Sequence, residues 1–204
     1  MKLYYSPGAC SLSPHIALLE AGLPYDLVKV DLRAKKLENG DDFLTVNPKG
    51  QVPALALDSG ELVTEGPVIV QMIADRAAGK NLAPARDSAD RYKLLEWLNF
   101  ITTELHKNFG PMFSPVLADE AKAFFKDRVM GKFKYIDSQL AGRDYLMGSH
   151  FTVADGYLFT MLSWADRMKF DLSAMPNLLA YKARVAARPK VQEALTKEGL
   201  LKAA

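Results

Sequence analysis

The stretch Lys2-Leu3-Tyr4-Tyr5-Ser6-Pro7-Gly8-Ala9-Cys10-Ser11-Leu12-Ser13-Pro14 decides how the first half of the chain folds. Lys2–Tyr5 has the β-rich composition of a short strand, and Pro7-Gly8 breaks it. Leu12, Ile16 and Leu19 then fall at i, i+4 and i+7, which puts them on one helix face. Gly22 and Pro24 stop that helix, glycine as the cap residue that tolerates a left-handed backbone and proline just beyond it. Cys10, the only cysteine, therefore sits where a strand hands over to a helix. A helix start presents unpaired N–H groups and about half a positive charge, and both favour thiolate over thiol. A free cysteine is also often a small buried hydrophobe, and position alone does not separate the two readings.

Outward from that stretch, residues 25–30 alternate and read as a second strand. Strand, helix and strand in this order imply a parallel pair with a right-handed crossover. Residues 31–42, with Arg33, Lys35 and Lys36, read as a solvated loop. The turn cluster Asn47-Pro48-Lys49-Gly50-Gln51 delivers Val52-Pro53 and a third strand over 54–57. Asp58-Ser59-Gly60 is a hairpin turn, and 61–63 returns antiparallel to the third strand. Pro53 has no N–H to give to a ladder. With a cis bond before it, the Val52 backbone would face outward, where an extended peptide pairs with it main chain to main chain. Thr64-Glu65-Gly66-Pro67 opens a helix whose Val68, Met72 and Ile73 are spaced for burial. A carboxylate meeting a helix start is commonly a cap, and it is also the make-up of a ligand site.

Residues 79–90 interrupt the apolar pattern as a linker would, and everything after them reads as helix. Leu94, Leu98, Ile101 and Leu105 form a core stripe, with Asn99 and His106 two turns apart on nearly one face beside it. Gly110-Pro111 ends that helix; 118–140 is a second amphipathic helix with Phe124, Phe125, Val129, Phe133, Ile136 and Leu140. Thr152 and Asp155 have the spacing of a capping box and read as structural. Phe151 would staple to Gly156, which has no side chain, so the staple passes to Tyr157. Helices over 177–187 and 190–197 finish the pattern.

The 204 residues are 49% hydrophobic and carry a formal net charge of +2. That balance gives no electrostatic case for nucleic acid or an anionic membrane. No apolar run approaches the ~20 residues of a membrane span, and a lone cysteine makes no internal disulfide, so the expected setting is cytoplasmic. His15, His106 and His150 are dispersed, so no metal is expected. There is no Gly-x-Ser-x-Gly elbow, no Gly-x-Gly-x-x-Gly turn and no Cys-x-x-Cys dithiol. A lone reactive thiol must borrow a partner, and glutathione is the abundant one.

Taken in order, the strand–turn–Cys10 unit, the Val52-Pro53 bend, the Thr64-Glu65-Gly66-Pro67 helix start and the Thr152–Asp155 box resemble a glutathione transferase. Cys10 followed by Ser11-Leu12-Ser13-Pro14-His15 is similar to the bacterial beta class. The resemblance implies an α/β N-terminal thioredoxin-like domain over 1–79, a linker over 80–88 and an all-α C-terminal domain over 89–204. It implies glutathione as co-substrate, a small hydrophobic electrophile, a detoxifying activity and a homodimer. Cys10 would lie beside the glutathione sulfur, and His106 would approach it as donor or proton acceptor. Val52, ahead of Pro53, would bind the cysteinyl backbone. Glu65 would hold the γ-glutamyl ammonium, the Gly66 N–H its carboxylate, and Lys35 the glycyl carboxylate. Asn99 is grouped with these; Thr103, Glu104 and Lys107 would reach a neighbouring subunit's glutathione. Phe109, Met112, Phe113, Trp164 and Met168 would wall the electrophile pocket. Two departures stand out. Many beta-class members have serine where this chain has Gly66, and Tyr5, at the place of the catalytic tyrosine of other classes, reads as a packed strand residue. The activities in view are transfer of glutathione to an electrophile, including displacement of halide; thiol–disulfide exchange through Cys10; and non-catalytic ligand binding.

Overall fold

Along β1 (Lys2–Tyr5), Leu3 and Tyr5 are buried while Lys2 is exposed, the alternation of a strand with one face on a core. A computed structural model describes residues 1–201. β1 pairs in parallel with β2 (Asp26–Asp31) through the helix α1 (Leu12–Ala21). On its other side β1 pairs antiparallel with β4 (Ala54–Ala56), which pairs antiparallel with β5 (Leu62–Thr64). β3 (Lys36–Leu37) adds an edge, antiparallel to β2, so the sheet order is β3-β2-β1-β4-β5. The 31–42 segment is therefore not all loop. A strand of two residues is too short to leave a periodic signal.

α1 ends at Gly22, whose φ of 67° is the left-handed cap that glycine takes without strain. Buried on nearly every side, it packs on α2 (Gly66–Arg76), α6 (Val153–Arg167) and α8 (Pro189–Lys197). It is the shared centre of both halves, and one continuous apolar core runs through it. α3 (Ala89–Phe100) continues without a break into a π-helical turn (Ile101–His106) and α4 (Lys107–Phe109). α5 (Asp119–Gln139), α6, α7 (Pro176–Ala186) and α8 complete the helical half. Leu94, Leu98, Ile101 and Leu105 are all buried. Phe124 and Val68 are not: each is about half exposed (58% and 51%), so the burial expected from spacing fails at the ends of their helices.

Arg91 clamps α3 to α2. Its guanidinium donates to both carboxylate oxygens of Asp75, at 2.9 and 3.2 Å, and to the Pro84 carbonyl in the linker. Asp155 accepts from the Thr152 N–H at 2.7 Å, from the Leu146 N–H at 2.9 Å and from the Tyr181 hydroxyl at 3.0 Å, so the box at the start of α6 is present and extended. Phe151 packs on Tyr145 and under the Arg188 guanidinium, while the Tyr157 hydroxyl turns to His106; the expected staple to Tyr157 is replaced by these contacts. Among the described residues no helix is long and apolar enough to cross a membrane.

Candidate functional site

A cleft of about 500 Å³ opens between the sheet half and the helical half. From the sheet half it is lined by the Ser6–Cys10 loop, Lys35, Lys49 to Pro53 and Thr64 to Pro67. From the helical half come Thr102, His106, Lys107, Phe113, Tyr157, Trp164 and Arg167.

The loop holding Cys10 is fastened by its backbone. Gly8, at φ 68°, donates its N–H to Glu198 at 2.9 Å, and its carbonyl accepts from the Trp164 indole at 2.7 Å. Cys10 lies just before Ser11, the first residue at the cap of α1, and its thiol donates to the Val52 carbonyl at 3.1 Å. Burial pushes the thiol up to about 12, outweighing the N–H groups of Cys10 and Ser11, which pull it down. Of the two readings left open for Cys10, the buried thiol is favoured over the thiolate: the helix-start donors are present, but desolvation is the larger effect.

The Val52-Pro53 bond is cis. Glu65 is the N-cap residue of α2 with φ 68°, in the sparsely populated left-handed region, and its carboxylate makes no capping hydrogen bond to the helix. That carboxylate is paired with Lys49 Nζ at 2.7 Å. Lys49 also donates to Thr64 Oγ1 at 3.0 Å. The sequence reading passed over Lys49 as part of a turn cluster; its spacing to Glu65 carries no signal, because only the hairpin brings the two together. Lys35 donates to the Gly50 carbonyl at 2.8 Å, tying two cleft segments.

His106 enters from the π-helical turn. Its Nδ1 lies 2.6 Å from the Tyr157 hydroxyl, and the Trp164 ring packs edge-on at 5.1 Å. Desolvation, aided by the neighbouring Lys107 charge and opposed by Glu65, lowers its pKa to about 4, so the ring is neutral at neutral pH. Tyr157 and Trp164, seven apart, share a face of α6; that spacing was the available signal for Tyr157, which the sequence reading left out of the site.

The cleft brings together Cys10, Lys35, Val52, Pro53, Glu65, Gly66, His106, Lys107, Phe113 and Trp164. Asn99, Thr103 and Glu104 are not among its lining residues. A π-helical turn carries one extra residue, which shifts the helical phase by about 100° and separates His106 from the face of Asn99. Thr103 Oγ1 donates to the Asn99 carbonyl at 3.1 Å, and Glu104 pairs with Lys132 on α5 at 2.7 Å. Phe109 is fully buried, stacked on Phe170 and edge-on to Trp164, so it is core and not cleft wall. Met112 and Met168 pack against the same core. Tyr5 is buried there too. Among the described residues no group of three or more His, Cys, Asp or Glu is placed to hold a metal ion.

Residues 8–76 match the family model described as "Glutathione S-transferase, N-terminal domain", and residues 103–198 match "Glutathione S-transferase, C-terminal domain". The chain is 49% identical to glutathione S-transferase GstA of Escherichia coli O157:H7, over 98% of this chain and all of that one. It is 36% identical to glutathione S-transferase GST-4.5 of Xanthomonas campestris pv. campestris, with 98% and 100% covered. Among solved structures it is similar to a ternary complex of BphK, described as a bacterial GST, with a TM-score of 0.96, 53% identity, and 98% and 100% covered. A sphingomonad glutathione S-transferase complexed with glutathione gives 0.95 and 52%, with the same coverage.

Proposed function

The chain belongs to the glutathione S-transferase family and takes glutathione as its co-substrate; from that premise we propose that the cleft activates the glutathione sulfur through His106 and directs it at a flat, apolar electrophile held against Trp164 and Phe113. One observation carries this reading: peptide-recognition features of the sheet half and a neutral histidine of the helical half line the same cleft.

In this reading the γ-glutamyl carboxylate sits at the N-terminus of α2, where the Gly66 N–H and the helix dipole favour an anion. Glu65 takes the γ-glutamyl ammonium in place of Lys49, a largely exposed pair of small worth. Val52 pairs with the cysteinyl main chain, and Lys35 with the glycyl carboxylate. His106 contacts the sulfur, and each unit by which the thiol pKa falls stabilises the thiolate by about 1.36 kcal/mol. The sulfur then forms a bond to the electrophilic carbon and a leaving group such as halide departs with the bonding pair. Asn99 is kept as a glutathione-binding residue, and Thr103, Glu104 and Lys107 as residues that reach the neighbouring subunit's glutathione across a homodimer. Residues 80–88 are kept as the linker and the cytoplasm as the compartment. Disulfide exchange is secondary here, because a thiol held up to about 12 is a poor nucleophile at neutral pH.

Turnover with an aryl halide and with a glutathione mixed disulfide tests this on His106→Ala and Cys10→Ala. The expected outcome is a fall of at least about tenfold in aryl transfer for His106→Ala with calorimetric glutathione binding retained, a typical yield of one positioned hydrogen-bonding group. Cys10→Ala is expected to lose more disulfide reduction than aryl transfer. Unchanged aryl transfer in His106→Ala removes His106 from the mechanism.

A further inference from the structure

We propose that Tyr157 is a positioning residue: it holds His106 in the tautomer with the proton on Nε2, so that His106 meets the glutathione sulfur as a hydrogen-bond donor and not as a base. The inference rests on the role of His106 proposed above, which left both possibilities open.

Tyr157 is buried, so its hydroxyl proton needs an acceptor inside the protein. Its hydrogen-bond partner is His106 Nδ1, at 2.6 Å. Thr102 gives its own proton to the Leu98 carbonyl at 2.7 Å, so it cannot donate to Tyr157; its oxygen could accept, but the short bond that the Tyr157 hydroxyl makes is the one to Nδ1. The phenol therefore donates to Nδ1, and a neutral imidazole that accepts at Nδ1 carries its hydrogen on Nε2. The ring is held in that orientation by two edge-on aromatic contacts, Trp164 at 5.1 Å and Tyr157 at 5.9 Å. The π-helical turn is what brings His106 against α6 to receive this bond.

The surrounding charges agree with a neutral pair. Lys107 on the adjoining turn and Glu65 across the cleft act on His106 in opposite directions, and burial dominates both. Burial also holds the Tyr157 proton firmly, with Cys10 and Glu65 adding to it. A base with a pKa of about 4 facing a thiol near 8.5 would take the proton unfavourably by roughly 10⁴-fold. An N–H aimed at a thiolate makes a charge-assisted bond instead. The thiol proton thus leaves to solvent, and His106 keeps its own.

The first test needs no variant. The imidazole ¹⁵N shifts of His106 in the wild-type protein are expected to show a protonated Nε2 and a bare Nδ1 between pH 6 and 8; a protonated Nδ1 overturns the proposal. The second is Tyr157→Phe, followed by titrating the ultraviolet absorbance of enzyme-bound glutathione thiolate. The bound thiol pKa is expected to rise by about one unit and kcat at pH 6.5 to fall about tenfold, with the glutathione KM within about twofold. A bound thiol pKa equal to the wild type's, in a variant whose unfolding is cooperative, overturns the proposal. If the variant does not fold, the ¹⁵N measurement decides. If His106→Ala leaves the bound thiol pKa unmoved, the proposed role of His106 fails, while the ¹⁵N result still reports on Tyr157 alone.

Discussion

Gly66 shows how much one missing atom group changes a site. A Cβ built there meets only Pro53 Cγ, at 3.8 Å, so the backbone has room for a side chain. Gly66→Ser would place a hydroxyl beside the N–H that opens α2, where an incoming carboxylate is expected. A hydrogen bond to a charged group contributes about 1.5 kcal/mol or more, so the glutathione KM should fall about tenfold with kcat little changed. Steady-state kinetics in glutathione check this; a KM that does not fall says the carboxylate binds elsewhere. At this scale the sequence was only partly legible. Glu65 and Val52 stood out because a turn, a proline and a helix start announced them. Lys49 did not, because its partner lies across a hairpin. The protonation of Cys10 stayed open because the sequence displays the helix-start donors but not the desolvation that outweighs them.

Elements were read more reliably than sites, and the reason is periodicity. α1, α5 and α6 repeat their apolar residues over enough turns to be recognised, and Thr152 with Asp155 marks the start of α6. The π-helical turn is the counter-example: its residues continue an α pattern, and the extra residue is visible only in the backbone. It moved Asn99 and His106 apart, the one place where helical counting misplaced a site residue. The α6 box makes a prediction of its own. Thr152→Ala removes one cap and should cost about 1 kcal/mol. Asp155→Ala leaves the Thr152 N–H, the Leu146 N–H and the Tyr181 hydroxyl without their carboxylate, each an unmet donor costing about 1–3 kcal/mol, so it should cost distinctly more. Urea unfolding of the two variants gives the order directly; equal midpoints would mean the carboxylate is not what holds the start of α6.

The whole molecule carries apolar side chains that its own core does not use. Val68 on α2 and Tyr92 and Leu95 on α3 are exposed, at 51%, 74% and 37%, and they lie on helices that Arg91 joins through Asp75. Such a face is what a second copy of the chain would cover in the expected homodimer. Sedimentation should therefore give a dimer for the wild type and a shift toward monomer for Tyr92→Glu combined with Leu95→Glu. A wild-type monomer would also withdraw the cross-subunit roles of Thr103, Glu104 and Lys107.

Gly8 has its N–H bound by Glu198 and its carbonyl by Trp164, residues 190 and 156 positions further along the chain. The loop that carries Cys10 is therefore made well before either of the groups that hold it. A nascent chain paused after the sheet half has made the strands, the bend before Pro53 and the start of α2, but not the fastened loop. Glutathione therefore has no finished cleft to bind, and no way to assist folding by binding, until Glu198, just past the end of α8, has emerged and docked.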